Sequence, residues 1–194
     1  LSIAFWCKRA NNSSEAVILG NSDNESWHRL GFDNDGDVLT IESDQNGEYA
    51  YASVTADTDW HHYVVTSQGS GSGSGGANPV LMYEDGAALT TTQENFGNNV
   101  GYQFTVNRIG SDQGGGALDG EFTGLIYQLA IYDVVLAANE IAAIFNSRTP
   151  IPLQTNSGNY VSANQLIHLW RFSENTGSTT ADSIGSPPLT GTFA

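Results

Sequence analysis

The residues of this chain that could do chemistry are overwhelmingly carboxylates: 21 Asp and Glu stand against 6 Lys and Arg, 4 His and a single Cys, for a formal net charge of −15. Such surplus oxygens are the donors that calcium takes, at about 2.3–2.6 Å. The densest group is Asp33-Asn34-Asp35-Gly36-Asp37. It reads in two ways. As a calcium loop it would offer Asp33, Asp35 and Asp37 in alternation; as a hairpin turn it would use Asn and Gly for positive φ and Asp to cap its own backbone. An EF-hand does not fit, because its twelfth position here is Asp44 in place of glutamate and the flanks are strand-like rather than helical.

The adjacent His61 and His62 invite a zinc reading. Neighbours on a strand point to opposite faces and cannot share one ion, so packing and local hydrogen bonding are the expectation. Cys7 lies in an alternating strand as a small buried thiol, and one cysteine forms no internal disulfide. No G-x-S-x-G elbow, phosphate-cradling loop or zinc-type histidine pair occurs. The acidity argues against nucleic acid, whose phosphates need Lys and Arg to displace counterions. It suits a salty or calcium-containing exterior. No apolar run of about twenty residues suggests membrane insertion. A chain that opens with LSIAFW already in strand rhythm reads as a fragment or a processed product.

The elements that must position these groups are mostly strands. The 194 residues suit one β-sandwich domain that buries about 70% of its unfolded surface. With 22 glycines and only 14% charged residues, tight turns between strands fit better than a helical bundle. Period-two alternation predicts strands over Leu1–Lys8, with one face on the core, and over Ala16–Leu19, His28–Phe32, Val38–Ile41, Glu48–Val54, Trp60–Thr66 and Gln103–Ile109. Val80–Leu89 reads as a hairpin around Asp85-Gly86, and Gln68–Gly76 as a flexible loop. Leu125–Tyr132 carries apolar groups on both faces and should be an inner strand. After it, Leu136, Glu140, Ile141, Ile144 and Phe145 take up the spacing of a short amphipathic helix near 137–146. Residues 149–165 read as a polar connector.

Several of these stretches resemble the laminin-G-like, concanavalin-A-like jelly rolls of the lectin/glucanase superfamily. They are LSIAFWCKR at the start, the W-H-H stretch from Trp60 to Thr66, the L-M-Y-E-D-G hairpin and the segment from Gly124 to Phe145. Relatives carry acids just after the glycine-led isoleucine, where this chain has Tyr127 and Gln128. The final stretch, from Leu166 to Gly185, resembles the segment that opens the domain in relatives. The order is therefore read as circularly permuted, with the start of another copy as the alternative. One aromatic-rich strand of the family has no counterpart, so a strand upstream of Leu1, or one from a neighbouring subunit, would fill its slot.

The resemblance implies an all-β fold, an antiparallel two-sheet jelly-roll sandwich with one short helix, in a single domain spanning 1–194. It also implies edge loops that hold calcium and a ligand. Asp182, in a D-S-x-G turn, ranks first as a calcium ligand, with a capping turn as its alternative; Asp112 and Asp119 follow. The superfamily includes glycan hydrolases, but their E-x-D-x-E strand is missing, so a non-catalytic domain is expected. Two functions remain open. One is a lectin-like module for carbohydrate binding or adhesion, with Trp27, Tyr102 and Tyr132 as stacking platforms. The other is a structural surface protein, a virion decoration or extracellular fibre subunit that assembles as a homo-oligomer. The partners would be a glycan or neighbouring subunits, and the location extracellular, at a cell surface or on a virion.

Overall fold

The structure, a computed structural model, describes residues 1–12, 14–21, 28–33, 36–43, 48–68, 80–94, 106–114, 117–174, 179–185 and 189–192. The first strands are β1 (Ser2–Arg9), β2 (Ala16–Gly20), β3 (His28–Phe32), β4 (Val38–Ser43), β5 (Glu48–Ser53), β6 (Trp60–Ser67), β7 (Val80–Glu84), β8 (Ala87–Ala88) and β9 (Thr92–Glu94). They are followed by β10 (Arg108–Ile109), β11 (Asp112–Gly114), β12 (Ala117–Asp119), β13 (Gly124–Tyr132), helix α1 (Ala138–Phe145), β14 (Leu166–Trp170), β15 (Thr179–Ala181) and β16 (Thr190–Thr192). Two six-stranded antiparallel sheets carry the fold, one ordered β14-β13-β1-β6-β7-β8 and the other β10-β2-β3-β4-β5-β9. This is the sandwich that the strand pattern predicts, in the jelly-roll form with one short helix that the resemblance implies. Of the expected strand Gln103–Ile109, residues 103–105 lie outside the described residues.

Alternation explains the main core. Ile3, Phe5 and Cys7 of the first sheet meet Leu30, Phe32, Leu39, Ile41, Ala50 and Ala52 of the second, all buried between the sheets. Burial pushes the Cys7 thiol pKa well above its ordinary value, which leaves it inert.

The outer face of the first sheet is buried as well, so β1 does not keep one face to the core and one to solvent as its alternation suggests. Ala4, Val64, Ala130 and Tyr132 pack under Ile141 and Ile144 of α1 and under Leu153 and Tyr160 of the connector. The connector is therefore a packed layer. The Tyr160 hydroxyl donates to the Leu153 carbonyl at 2.7 Å. Glu140 ties the layer down: one oxygen accepts from the Ala137 amide at the helix start (3.1 Å), the other from the Val161 amide (3.1 Å). Fully buried Ser2 reaches the same region, donating to the Val134 carbonyl (2.8 Å) and accepting from the Leu136 amide (2.9 Å).

Strand β13 is an inner strand between β1 and β14, but its period is broken once. Trp6 pairs with Tyr127 while Ala4 pairs with Ala130, so Phe5 faces two residues, Gln128 and Leu129. Gln128 takes φ of 49°, the left-handed geometry of a β-bulge. Strict alternation would put Ile126 and Leu129 on opposite faces; the bulge turns both toward the main core. β14, from the segment expected to be permuted, is hydrogen-bonded along the free side of β13.

Candidate functional site

The residues singled out in the sequence do not assemble into one site. Trp27, Tyr102 and Asp35 lie outside the described residues. Tyr132 is fully buried, its hydroxyl 3.2 Å from that of Tyr160, so it is a core residue and not a stacking platform. Asp182 is a turn hub: Oδ2 lies 2.7 Å from His168 Nδ1, and Oδ1 accepts from the amides of Leu169 (2.9 Å) and Ile184 (3.0 Å). Burial alone would raise its pKa, but these bonds hold the carboxyl below its ordinary value. Asp112 is buried, with Oδ1 3.3 Å from the Asn21 amide, and its backbone pairs with that of Asp119 across the β11–β12 ladder.

In the Asp33–Asp37 stretch, Asp33 Oδ1 accepts from the Gly36 amide at 3.0 Å, and Gly36 takes φ of 67°. That is the hairpin-turn geometry, fastened from below by Arg9, whose guanidinium donates to the Gly36 carbonyl and lies 4.4 Å over the Phe32 ring. Asp37 is exposed. The fit to calcium is poor: among the described residues no three His, Cys, Asp or Glu side chains converge on a metal position, and Asp33, Asp112 and Asp182 already accept protein donors.

The two histidines do point apart. His61 sits among acids, with Nε2 3.0 Å from Asp57 Oδ1 and Nδ1 3.1 Å from Asp85 Oδ2. Arg148 also reaches Asp85 Oδ2 (2.8 Å), which joins the β7–β8 turn to the end of α1. His62 lies between Trp6 and Phe145, its ring centroid 4.9 and 6.4 Å from theirs. Burial pushes its pKa down to about 3 against a smaller opposite pull from Asp85, so the ring is neutral. Both histidines are structural.

The one sheet face left without a covering layer among the described residues is the outer face of the second sheet, and its side chains are of a different kind. Its register aligns them in rows. One row runs Arg29, Glu42, Tyr49 across β3, β4 and β5; the next runs Gly31, Thr40, Tyr51 and Thr92 from β3 to β9 and ends at Val17 of β2, which is buried beside Gly120 and Glu121. At about 4.8 Å per strand, the row from Gly31 to Thr92 spans roughly 14 Å.

Tyr49 and Tyr51, half-buried, stack at 5.7 Å with an interplanar angle of 18°. They stand beside a shallow depression lined by Glu15, Arg29, Gly31, Asp33, Thr40 and Glu42. Arg29 is its organiser: Nε and Nη2 fork onto the two oxygens of Glu42 at 2.9 and 3.2 Å, and Nη1 donates to Glu15. Burial opposes the guanidinium charge, but the bond to Glu42 and the fields of Glu42, Glu15 and Asp112 outweigh it, so the Arg29 pKa lies above its ordinary value.

The floor is bare for a steric reason. A Cβ at Gly31 would come within 2.5 Å of the Ala16 carbonyl oxygen, so no side chain fits there. Rigid strands thus present flat aromatic area beside fixed hydrogen-bonding groups, which suits a polyhydroxylated ring better than a reaction. Both carboxylates accept from Arg29, which has no proton to shuttle, and neither is set up as an acid–base pair. These residues carry no local motif; the only signal for them was the alternation of Tyr49 and Tyr51 with Ala50 and Ala52.

Three solved structures share this architecture at low identity. A carbohydrate-binding module, CBM40, of the Ruminococcus gnavus IT-sialidase matches with a TM-score of 0.56 at 12% identity, over 74% of this chain and 81% of that one; it has also been solved with α2,3-sialyllactose. A Bacteroides ovatus protein whose assigned role is carbohydrate binding matches with a TM-score of 0.60 at 12% identity, over 99% of this chain and 54% of that one. A heptameric SAP-like pentraxin from Limulus polyphemus matches with a TM-score of 0.50 at 14% identity, over 99% and 82%. No curated protein matches the sequence. The sequence profile of the concanavalin A-like lectin/glucanases superfamily covers residues 1–142, well over half of the chain, and with the sandwich described above the conclusion is that this chain belongs to that superfamily.

Proposed function

We propose that this domain is a non-catalytic, lectin-like carbohydrate-binding module that receives a glycan on the outer face of its second sheet. The observation that carries the reading is the stacked Tyr49–Tyr51 pair beside the Arg29–Glu42 fork, on a sheet face that no layer of the described residues covers. Aromatic faces pack against the apolar side of a sugar ring, and charged side chains with fixed geometry take its hydroxyls. The superfamily membership and the carbohydrate-binding roles named for two of the similar structures support the same reading. Such a module would serve outside the cell, in adhesion or in holding a larger protein to polysaccharide.

A glycan array followed by affinity electrophoresis tests it. Tyr51→Ala is expected to weaken binding about tenfold, which corresponds to about 1.4 kcal/mol. The melting temperature should hardly move, because the ring is only half-buried. Undiminished binding by the Tyr49→Ala/Tyr51→Ala double variant would remove this face from consideration.

A further inference from the structure

We propose that this face selects uncharged glycans and rejects acidic ones, and that Glu15 and Glu42 make the selection by occupying Arg29. The inference rests on the carbohydrate-binding reading and concerns which class of glycan the same site takes.

An acidic sugar, whether a uronate, a sialic acid or a sulfate ester, is held best by an arginine or lysine whose donors are open to it. Arg29 is the one cation lining the depression among the described residues, and it is committed. The Nε–Nη2 edge of its fork rests on Glu42 and Nη1 donates to Glu15, so an incoming carboxylate would have to displace Glu42 to be gripped along that edge. It would do so beside three carboxylates, Glu15, Asp33 and Glu42, against one guanidinium. The surrounding chain adds a formal charge of −15, which repels anions at longer range.

A neutral ring meets the opposite situation. Arg29, Glu15 and Glu42 are 21%, 23% and 26% exposed, enough to be touched without being uncovered further. An ionised carboxylate offers about four lone-pair positions, and Arg29 takes one on each oxygen of Glu42, so Glu42 can accept from sugar hydroxyls beside it. Thr40 stands opposite the bare Gly31 backbone in the next row and adds a hydroxyl that both donates and accepts. The half-buried Tyr49 and Tyr51 add aromatic area that brings no positive charge to hold an acidic ring. A cationic amino sugar would be drawn to the same net negative charge, so the selection is made against anions only.

The test uses the intact chain in affinity electrophoresis and calorimetry at 50 and 500 mM NaCl. Its ligands are neutral polysaccharides (xyloglucan, galactomannan, laminarin) and acidic ones (polygalacturonate, alginate, α2,3-sialyllactose). We expect a neutral glycan to bind with an affinity that changes less than about twofold between the two salts. The acidic set should not be retained. The Glu15→Gln/Glu42→Gln variant, which keeps side-chain shape and frees the guanidinium, should gain at least tenfold in affinity for an acidic glycan, lost again at 500 mM salt. Glu42→Gln alone should gain in the same direction and serves if the double variant does not fold.

Salt-sensitive binding of an acidic glycan by the unmodified chain would overturn the selection rule while leaving the carbohydrate reading in place. A folded variant that gains no acidic ligand would overturn it equally. Failure of the unmodified chain to bind any glycan would overturn the carbohydrate reading, and this inference with it.

Discussion

Removing the Asp182 carboxylate would leave the His168 ring and the amides of Leu169 and Ile184 without their acceptor, with the Leu169 bond fully buried. Asp182→Ala is therefore expected to cost about 3 kcal/mol, measured as a lowered urea midpoint, with no dependence on added calcium or chelator. His62 gives a prediction in pH. Its folded pKa of about 3 lies below its ordinary 6.5, so its contribution is complete above pH 6.5 and is lost as pH falls toward 3, because the unfolded chain takes a proton that the folded one refuses. Between pH 7 and pH 5 the native chain should lose about 2 kcal/mol more than His62→Phe, at roughly 1.4 kcal/mol per pH unit below 6.5. Equal losses in the two proteins would show that the ring is not held neutral. Residue roles of this kind were half legible. The opposed faces of His61 and His62 follow from their being adjacent on a strand, whereas the burial of Tyr132 does not, because nothing in its neighbourhood announces the layer that Tyr160 builds over it.

At the scale of elements, the longer strands of the two sheets and α1 were legible because most keep one repeat, two residues or three-to-four, over their whole length, whereas the three-residue strands β9, β11, β12, β15 and β16 are too short to show one. What escaped are the places where a repeat is interrupted. The bulge at Gln128 shifts the phase of β13 by one residue, and a polar residue in the middle of an apolar strand does not advertise a φ of 49°. The connector looked like a linker because its buried groups, Leu153 and Tyr160, are few and unevenly spaced. Glu140 joins helix and connector through two backbone amides, one at each side of the layer. Glu140→Ala should cost about 1–2 kcal/mol. In hydrogen exchange, the amides of Ala137 and Val161 should lose protection together while those of β3 and β4 keep theirs; separate loss would mean that the two elements are not one cooperative unit.

The whole molecule is a strongly negative body, with a formal charge of −15. Self-repulsion of that size should be relieved by salt, so the melting temperature is expected to rise by several degrees between 20 and 500 mM NaCl; a fall would mean that ion pairs such as Arg29–Glu42 outweigh the repulsion. At this scale the superfamily was legible from the strand order and its motifs, and the candidate face was not. Glu15, Arg29, Glu42, Tyr49 and Tyr51 come from three strands and the residue that precedes β2, and meet only once the register is set. That same register has a practical consequence. On β3, β4 and β5 every outward residue alternates with an inward one, Arg29 with Leu30, Thr40 with Leu39 and Ile41, Tyr49 and Tyr51 with Ala50 and Ala52. The proposed recognition surface can thus be rewritten at its outward positions other than Gly31, where no Cβ fits, while the interior stays as it is, so the sheet is a scaffold on which new specificities could be grafted without refolding the domain around them.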